Sequence, residues 1–280
     1  IIPEWIAPNV LTFTGFLFTV SNAFLLTYFD YNFCASSDTI DECPPIPSWV
    51  WMACAISHFL AHTLDGVDGK QARKTKSSGP LGELFDHGLD SWTAFFVPFC
   101  IYSLFGRADY SEAPGRVLFI FWAIFLTFYF SHWEKYNTGV LYLPWTYDIT
   151  QIALLIMYLV TYFMGYSIWK FDLPYIGISS GHLFEIVSHV GSFAISIPIT
   201  CFNVYVLYKT KALKQANLYE CVLPLVSLML LFVITTFWAV YSPSDVVSKD
   251  PRVFFFMLGT FFSNIAVSTS TFKSIFKTNF

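Results

Sequence analysis

The chain has 280 residues, 55% of them hydrophobic and 12% charged, with 32 Phe, 16 Tyr and 9 Trp and a mean hydropathy of +0.56. Globular domains carry about 25% charged residues, and a chain this apolar cannot cover its surface with polar side chains, so a soluble fold is excluded and an integral membrane protein is expected. The net charge of -4 leaves no basic excess to neutralise a phosphate backbone, which argues against nucleic acid as a partner.

A membrane-spanning helix needs about 20 mostly apolar residues. In chain order that ruler picks out eight spans, at roughly 10–29, 48–64, 91–106, 116–133, 149–169, 183–207, 219–241 and 253–270. The expected fold is an all-α polytopic helical bundle. The third and fourth spans are short and are expected to extend into their flanking segments. Breakers such as Cys43-Pro44-Pro45-Ile46-Pro47, Ser77-Ser78-Gly79-Pro80 and Ser242-Pro243-Ser244-Asp245 place turns outside the bilayer core. No internal repeat is visible, so 1–280 reads as a single membrane domain. The chain opens on Ile1 with no short apolar segment followed by a cleavage site, so no signal peptide is expected and the natural N-terminus is expected upstream.

Orientation follows from the basic residues. With the N-terminus cytosolic, ten of the 15 Lys and Arg fall on the side that carries Lys70, Arg73, Lys74 and Lys76, and five fall opposite. The 65–90 connection is then cytosolic. The 30–47 connection has no basic residue and carries Asp30, Asp38, Asp41 and Glu42, so it is expected to face the lumen. Cys34 and Cys43 lie in it, where a disulfide is permitted but not required. The other four Cys lie in spans as small apolar residues, and no CxxC or Cys/His cluster points to zinc.

The chemistry is concentrated between residues 65 and 90. Asp65 and Asp68 at i, i+3 share a face if the second span continues as a helix past 64, and Asp86 and Asp90 at i, i+4 do so if the third helix begins near Leu81. Four carboxylates facing one another repel, so a cation must hold them, and oxygen-only ligands point to Mg²⁺ or Mn²⁺, with room for a metal pair. Gly66 and Gly69 lie on the aspartate face, each at a cost of about 1 kcal/mol of helix propensity, and leave space for a ligand. Arg73 can offer a bidentate fork to a phosphate, and Lys70, Lys74 and Lys76 a positive approach to it. Together these features suit a metal-bound pyrophosphate at the cytosolic surface. His87, beside Asp86, is a further functional candidate, whereas His58 and His62 read as packing residues. The Phe-rich runs at 254–256 and 261–262 read as lipid-facing or packed surface, and Lys209, Lys211 and Lys214 as topology signals.

Asp65, Gly66, Asp68-Gly69, Ala72-Arg73, Gly82, Asp86 and Asp90 fill every defining position of the signature of the CDP-alcohol phosphotransferases, which the chain resembles. Further stretches resemble the eukaryotic ethanolamine branch of that family, among them Pro3-Glu4-Trp5, Ala7-Pro8-Asn9, Pro80-Leu81-Gly82-Glu83-Leu84-Phe85-Asp86-His87-Gly88 and Ser131-His132-Trp133-Glu134-Lys135-Tyr136-Asn137-Thr138-Gly139. The resemblance implies that Asp65, Asp68, Asp86 and Asp90 hold two Mg²⁺ or Mn²⁺ ions. It also implies that Asn9, Gly66, Gly69, Lys70, Gln71, Ala72, Arg73, Gly82 and Glu83 form the substrate site, and that Asp90, with His87 as partner or substitute, is the general base. The implied substrates are CDP-ethanolamine and diacylglycerol, and the implied products phosphatidylethanolamine and CMP. The implied setting is the endoplasmic reticulum or Golgi membrane, with a homodimer as a further expectation. Family members usually extend past both ends of this chain and have about ten spans. A choline-specific relative, an intramembrane prenyltransferase and a non-enzymatic cation transporter remain as alternatives.

Overall fold

A computed structural model describes residues 2–35, 37, 43–107, 110–141, 146–215 and 217–276. Of the residues used above to assign sidedness, Asp38, Asp41, Glu42 and Lys277 lie outside the described residues. The helices in chain order are α1 (Pro8–Phe29), α2 (Ser48–Lys74), α3 (Pro80–Phe105), α4 (Pro114–Thr138), α5 (Thr146–Met164), α6 (Ser180–His189), α7 (Ile197–Lys209), α8 (Leu218–Tyr241), the short α9 (Val246–Lys249) and α10 (Pro251–Phe276). A π segment, Val190–Ser196, joins α6 to α7 into one long helix, and a 3-10 turn, Tyr166–Trp169, follows α5. The described residues hold one isolated β-bridge, Asp172 to Ser179, and no strand.

Proline starts several of these helices, and glycine follows the last residue of α3 and of α4. Pro8, Pro80 and Pro114 sit in the first turn of α1, α3 and α4, where the missing N–H costs nothing. Gly139 closes α4 in the left-handed conformation at φ 84°, and its N–H donates to the Lys135 carbonyl. All eight expected spans are helical, and the two short ones lengthen as anticipated to 80–105 and 114–138.

Among the described residues, seven helices are long and apolar enough to cross a membrane. α2 is the long helix that does not meet that measure, because it carries His58, His62 and a charged last third. It nevertheless runs the length of α1. The Asn22 amide donates to the Cys54 carbonyl at 3.1 Å, and the Thr12 hydroxyl donates to Asp68 at 2.5 Å, so a bilayer crossed by α1 is crossed by α2. Gly15 allows the approach: a methyl there would lie 3.1 Å from the Ala61 carbonyl oxygen and 3.3 Å from Leu64.

The chain divides into two compact units, residues 1–112 with 148–182, and residues 113–147 with 183–280. In the first, α1, α2 and α3 form an up-down-up hairpin. Its far end is closed by Phe33, whose ring lies 4.5 Å from Tyr102 and 5.4 Å from Phe99, and by a Cys34–Cys43 disulfide with Cα atoms 5.8 Å apart. The permitted disulfide is therefore formed. Trp51 stacks on Tyr158 of α5, and His58 bonds the Gln151 carbonyl at 3.0 Å, in agreement with its reading as a packing residue. Lys170 donates to the Phe105 carbonyl at 2.7 Å and so satisfies an orphan acceptor at the end of α3.

The second unit is held by aromatic stacking around α4. Phe125 lies 4.0 Å from Phe262, Phe121 4.5 Å from Phe255, and Trp122 4.8 Å from Phe232. Phe254 and Phe255 are buried while Phe256 and Phe261 are exposed, so the Phe runs serve both core and surface. Glu134 and Arg116 of this apolar unit have side-chain partners. Glu134 is 1% exposed and accepts from Asn203 of α7 at 2.7 Å, and Arg116 reaches Glu185 at 2.5 Å.

Candidate active site

The site lies where α2 ends and α3 begins. α2 stays helical ten residues past the apolar stretch of the second span, to Lys74, and α3 starts at Pro80, so both conditions for converging carboxylates are met. Oxygens of Asp65, Asp68 and Asp86 all lie within 4.8 Å of one another, and ligand atoms of Asp86, His87 and Asp90 form a second such group. Asp86 belongs to both and links the two helices.

Asp68 is the most buried member, at 7% exposure. Both of its oxygens are held: Oδ2 accepts from the Thr12 hydroxyl, and Oδ1 accepts a very short hydrogen bond from the Gly69 N–H. His87 sits between two carboxylates, with Nδ1 3.9 Å from Asp90 and Nε2 3.7 Å from Glu83, and its side chain is 11% exposed. His87 therefore shares a helix face with Asp90, three residues on. The donor set is all oxygen apart from this imidazole and is compact, which fits a hard divalent cation whose charge would offset the clustered carboxylates.

The glycines leave space around these anions. A methyl at Gly66 would meet nothing within 4 Å, one at Gly69 would lie 3.7 Å from the Arg73 guanidinium, and one at Gly82 would lie 3.5 Å from the Asn9 carboxamide oxygen. Asn9 and Gly82 are thus neighbours, as are Gly69 and Arg73. Lys70, Arg73 and Glu83 are exposed at the same helix ends and Ala72 is half-buried.

Gln71 is 4% exposed, and its amide donates to the carbonyls of Pro3 at 2.8 Å and Ile6 at 3.1 Å. The amide donors are committed to the segment preceding α1, so Gln71 holds that segment against α2. Lys74 adds to that strap through Glu4 at 3.5 Å. Thr12 is the residue that sequence reasoning missed. It is uncharged and sits in an apolar run, and its position one turn after Asn9 was the available signal.

A compact carboxylate cluster at a membrane helix end, beside open space at Gly66 and the Arg73 guanidinium, is a donor set that could hold a divalent cation. The CDP-alcohol phosphatidyltransferase family model matches residues 5–174, and the chain belongs to that family. Ethanolaminephosphotransferase 1 of Homo sapiens is 43% identical over 264 residues, covering 94% of this chain and 66% of that protein. The Mus musculus protein of the same name is also 43% identical, over 265 residues, with 95% and 66% coverage. Cholinephosphotransferase 1 of Danio rerio is 36% identical over 197 residues, 70% of this chain and 48% of that protein. The chain therefore spans slightly less than two thirds of the ethanolamine relatives' length.

Proposed function

We propose that the chain transfers phosphoethanolamine from CDP-ethanolamine to diacylglycerol, forming phosphatidylethanolamine and CMP. The observation that carries this reading is the approach of Asp65, Asp68 and Asp86 to within 4.8 Å across two helices beside an open Gly66 face. The 43% identity to ethanolaminephosphotransferases over 94% of the chain favours ethanolamine over choline as the head group.

Asp65, Asp68, Asp86 and Asp90 would hold the metal pair. When bound, Mg²⁺ or Mn²⁺ supplies charge neutralisation for the pyrophosphate and the departing CMP. Arg73 forks onto a phosphate oxygen, and Gly66, Gly69 and Gly82 let the nucleotide lie close to the helix backbones, with Asn9 as a further contact. The diacylglycerol oxygen bonds to the β-phosphorus, the bond from that phosphorus to the CMP oxygen breaks, and the hydroxyl proton passes to Asp90. His87, between Asp90 and Glu83, orients that carboxylate and is the alternative acceptor. A Cys34–Cys43 bridge favours an oxidising compartment for that loop, which supports an endoplasmic reticulum or Golgi membrane with the opposite, carboxylate-bearing end of α1–α3 facing the cytosol.

A head-group competition on the purified chain in phosphatidylcholine vesicles containing diacylglycerol tests the reading. CMP release should depend on both substrates and favour CDP-ethanolamine over CDP-choline. Equal or reversed preference would move the chain to the choline branch, and cation flux without CMP release would make it a transporter.

A further inference from the structure

We propose that Thr12 is a positioning residue that fixes the Asp68 carboxylate for metal binding; this rests on the reading of Asp68 as a metal ligand. Thr12 and Asp68 are 6% and 7% exposed, so water competes weakly for their hydrogen bond. The hydroxyl has one proton and two acceptors in reach, Asp68 Oδ2 at 2.5 Å and the Pro8 carbonyl at 3.3 Å. The shorter, charge-assisted bond wins. With Gly69 N–H on the other oxygen, each carboxylate oxygen has one donor, and a lone pair on each remains for a cation.

The placement of Thr12 is itself over-determined. Its β-branch restricts χ1. Gln71 ties the segment before α1 to α2, Asn22 ties α1 to α2 near its middle, and Asn9, one turn before Thr12, lies against Gly82 of α3. α1 is thereby held in register with both helices that supply the carboxylates. Removing the hydroxyl leaves the fold of α2 intact but frees one Asp68 oxygen, so that orienting the ligand falls on the metal. Partners of metal ligands typically contribute about 10–100-fold in metal affinity or activity.

Mn²⁺ binding to the purified full chain without substrate, followed by electron paramagnetic resonance and by the Mn²⁺-dependent rise in unfolding temperature, tests this. Thr12→Val should raise the half-saturating Mn²⁺ concentration about 10–100-fold, with Thr12→Ala giving the same loss should the valine variant fail to fold. Thr12→Ser keeps the hydroxyl and should stay close to wild type. Asn22→Ala, which also removes an α1–α2 hydrogen bond, should lower the metal-free unfolding temperature and leave the Mn²⁺ midpoint in place. Unchanged binding in Thr12→Val while Asp68→Asn loses it would overturn the role of Thr12 and leave the metal site standing, as would an equal shift in Asn22→Ala. Wild-type binding in Asp65→Asn, Asp68→Asn and Asp86→Asn alike would instead sink the metal reading itself.

Discussion

Asp30 and Asp68 are both buried aspartates in the first unit, one just past the end of α1 and one facing its start, yet they do different things. Asp30 is 3% exposed, and its Oδ1 accepts from the backbone N–H groups of Cys34 and Ala35 at 2.7 and 2.8 Å. It organises a turn that Phe33 and the disulfide then seal. Asp68 is similarly held, but two further carboxylates close on it and the neighbouring helix face is open at Gly66. Burial and hydrogen bonding are common to both. Convergence of like charges beside open space is what sets the proposed functional end apart, because it raises the energy of the fold unless a ligand completes it.

The strongest way to break this contrast is to neutralise one carboxylate at each end. Asp65→Asn or Asp86→Asn should lower turnover by about 10³-fold, about 4 kcal/mol in the barrier, while thermal unfolding stays unchanged or shifts up as repulsion is relieved. Excess chelator should reproduce the loss in wild type, and Mg²⁺ or Mn²⁺ should restore it. Asp30→Asn should do the opposite, lowering unfolding temperature with turnover at moderate temperature preserved. Matching losses of turnover at both ends would erase the distinction.

Within the open end, Asp90 and His87 separate next. At saturating metal and substrates, Asp90→Asn should lose about 10²–10⁴-fold in rate, as removal of a general base does, and His87→Gln less. The assignment reverses if His87→Gln loses the chemical step while Asp90→Asn loses only metal affinity.

The sealed end predicts a stability effect alone. Cys34→Ser or Cys43→Ser opens a loop of sequence separation 9 and should cost about 2–3 kcal/mol, read by chemical unfolding, with kcat/KM unaltered at moderate temperature. A loss of catalysis in the still-folded variant would couple the two ends.

The smallest effects sharpen the comparison through two glycines. Gly66→Ala places a methyl in open space, so it should raise the KM for CDP-ethanolamine about tenfold, about 1.4 kcal/mol, and stabilise α2 by up to about 1 kcal/mol. Gly15→Ala meets the Ala61 carbonyl at 3.1 Å and should lower unfolding temperature with little change in KM. If Gly66→Ala binds nucleotide normally, the gap beside the carboxylates is not the substrate's.

Much of the site was legible because its information is local. Spacings of three and four between Asp65 and Asp68 and between Asp86 and Asp90 specify shared faces as soon as the segments are helical. Helix limits were under-read where a ruler for hydrocarbon stops at charge, so 65–74 and 80–90 were found as connection and emerged as helix. The disulfide was permitted by compartment but depends on a Cα separation that no spacing encodes. The contacts of Thr12 and Gln71 escape sequence reading for a related reason. Their partners are 56 and up to 68 residues away, fixed by the register between helices and by no periodicity within one.

The π segment Val190–Ser196 bears on how this chain can be aligned with others. Each wide turn closes i to i+5 in place of i to i+4, so the stretch accommodates a residue that an uninterrupted helix could not hold without turning everything after it by about 100°. Downstream of it, Asn203 meets the buried Glu134 of α4. A one-residue deletion between 190 and 196 would let the helix relax to ordinary winding and carry Asn203 off that carboxylate. An insertion or deletion at this place is therefore a phase change for every later position of α7, and residue equivalences drawn across it hold only when the wide turns are kept.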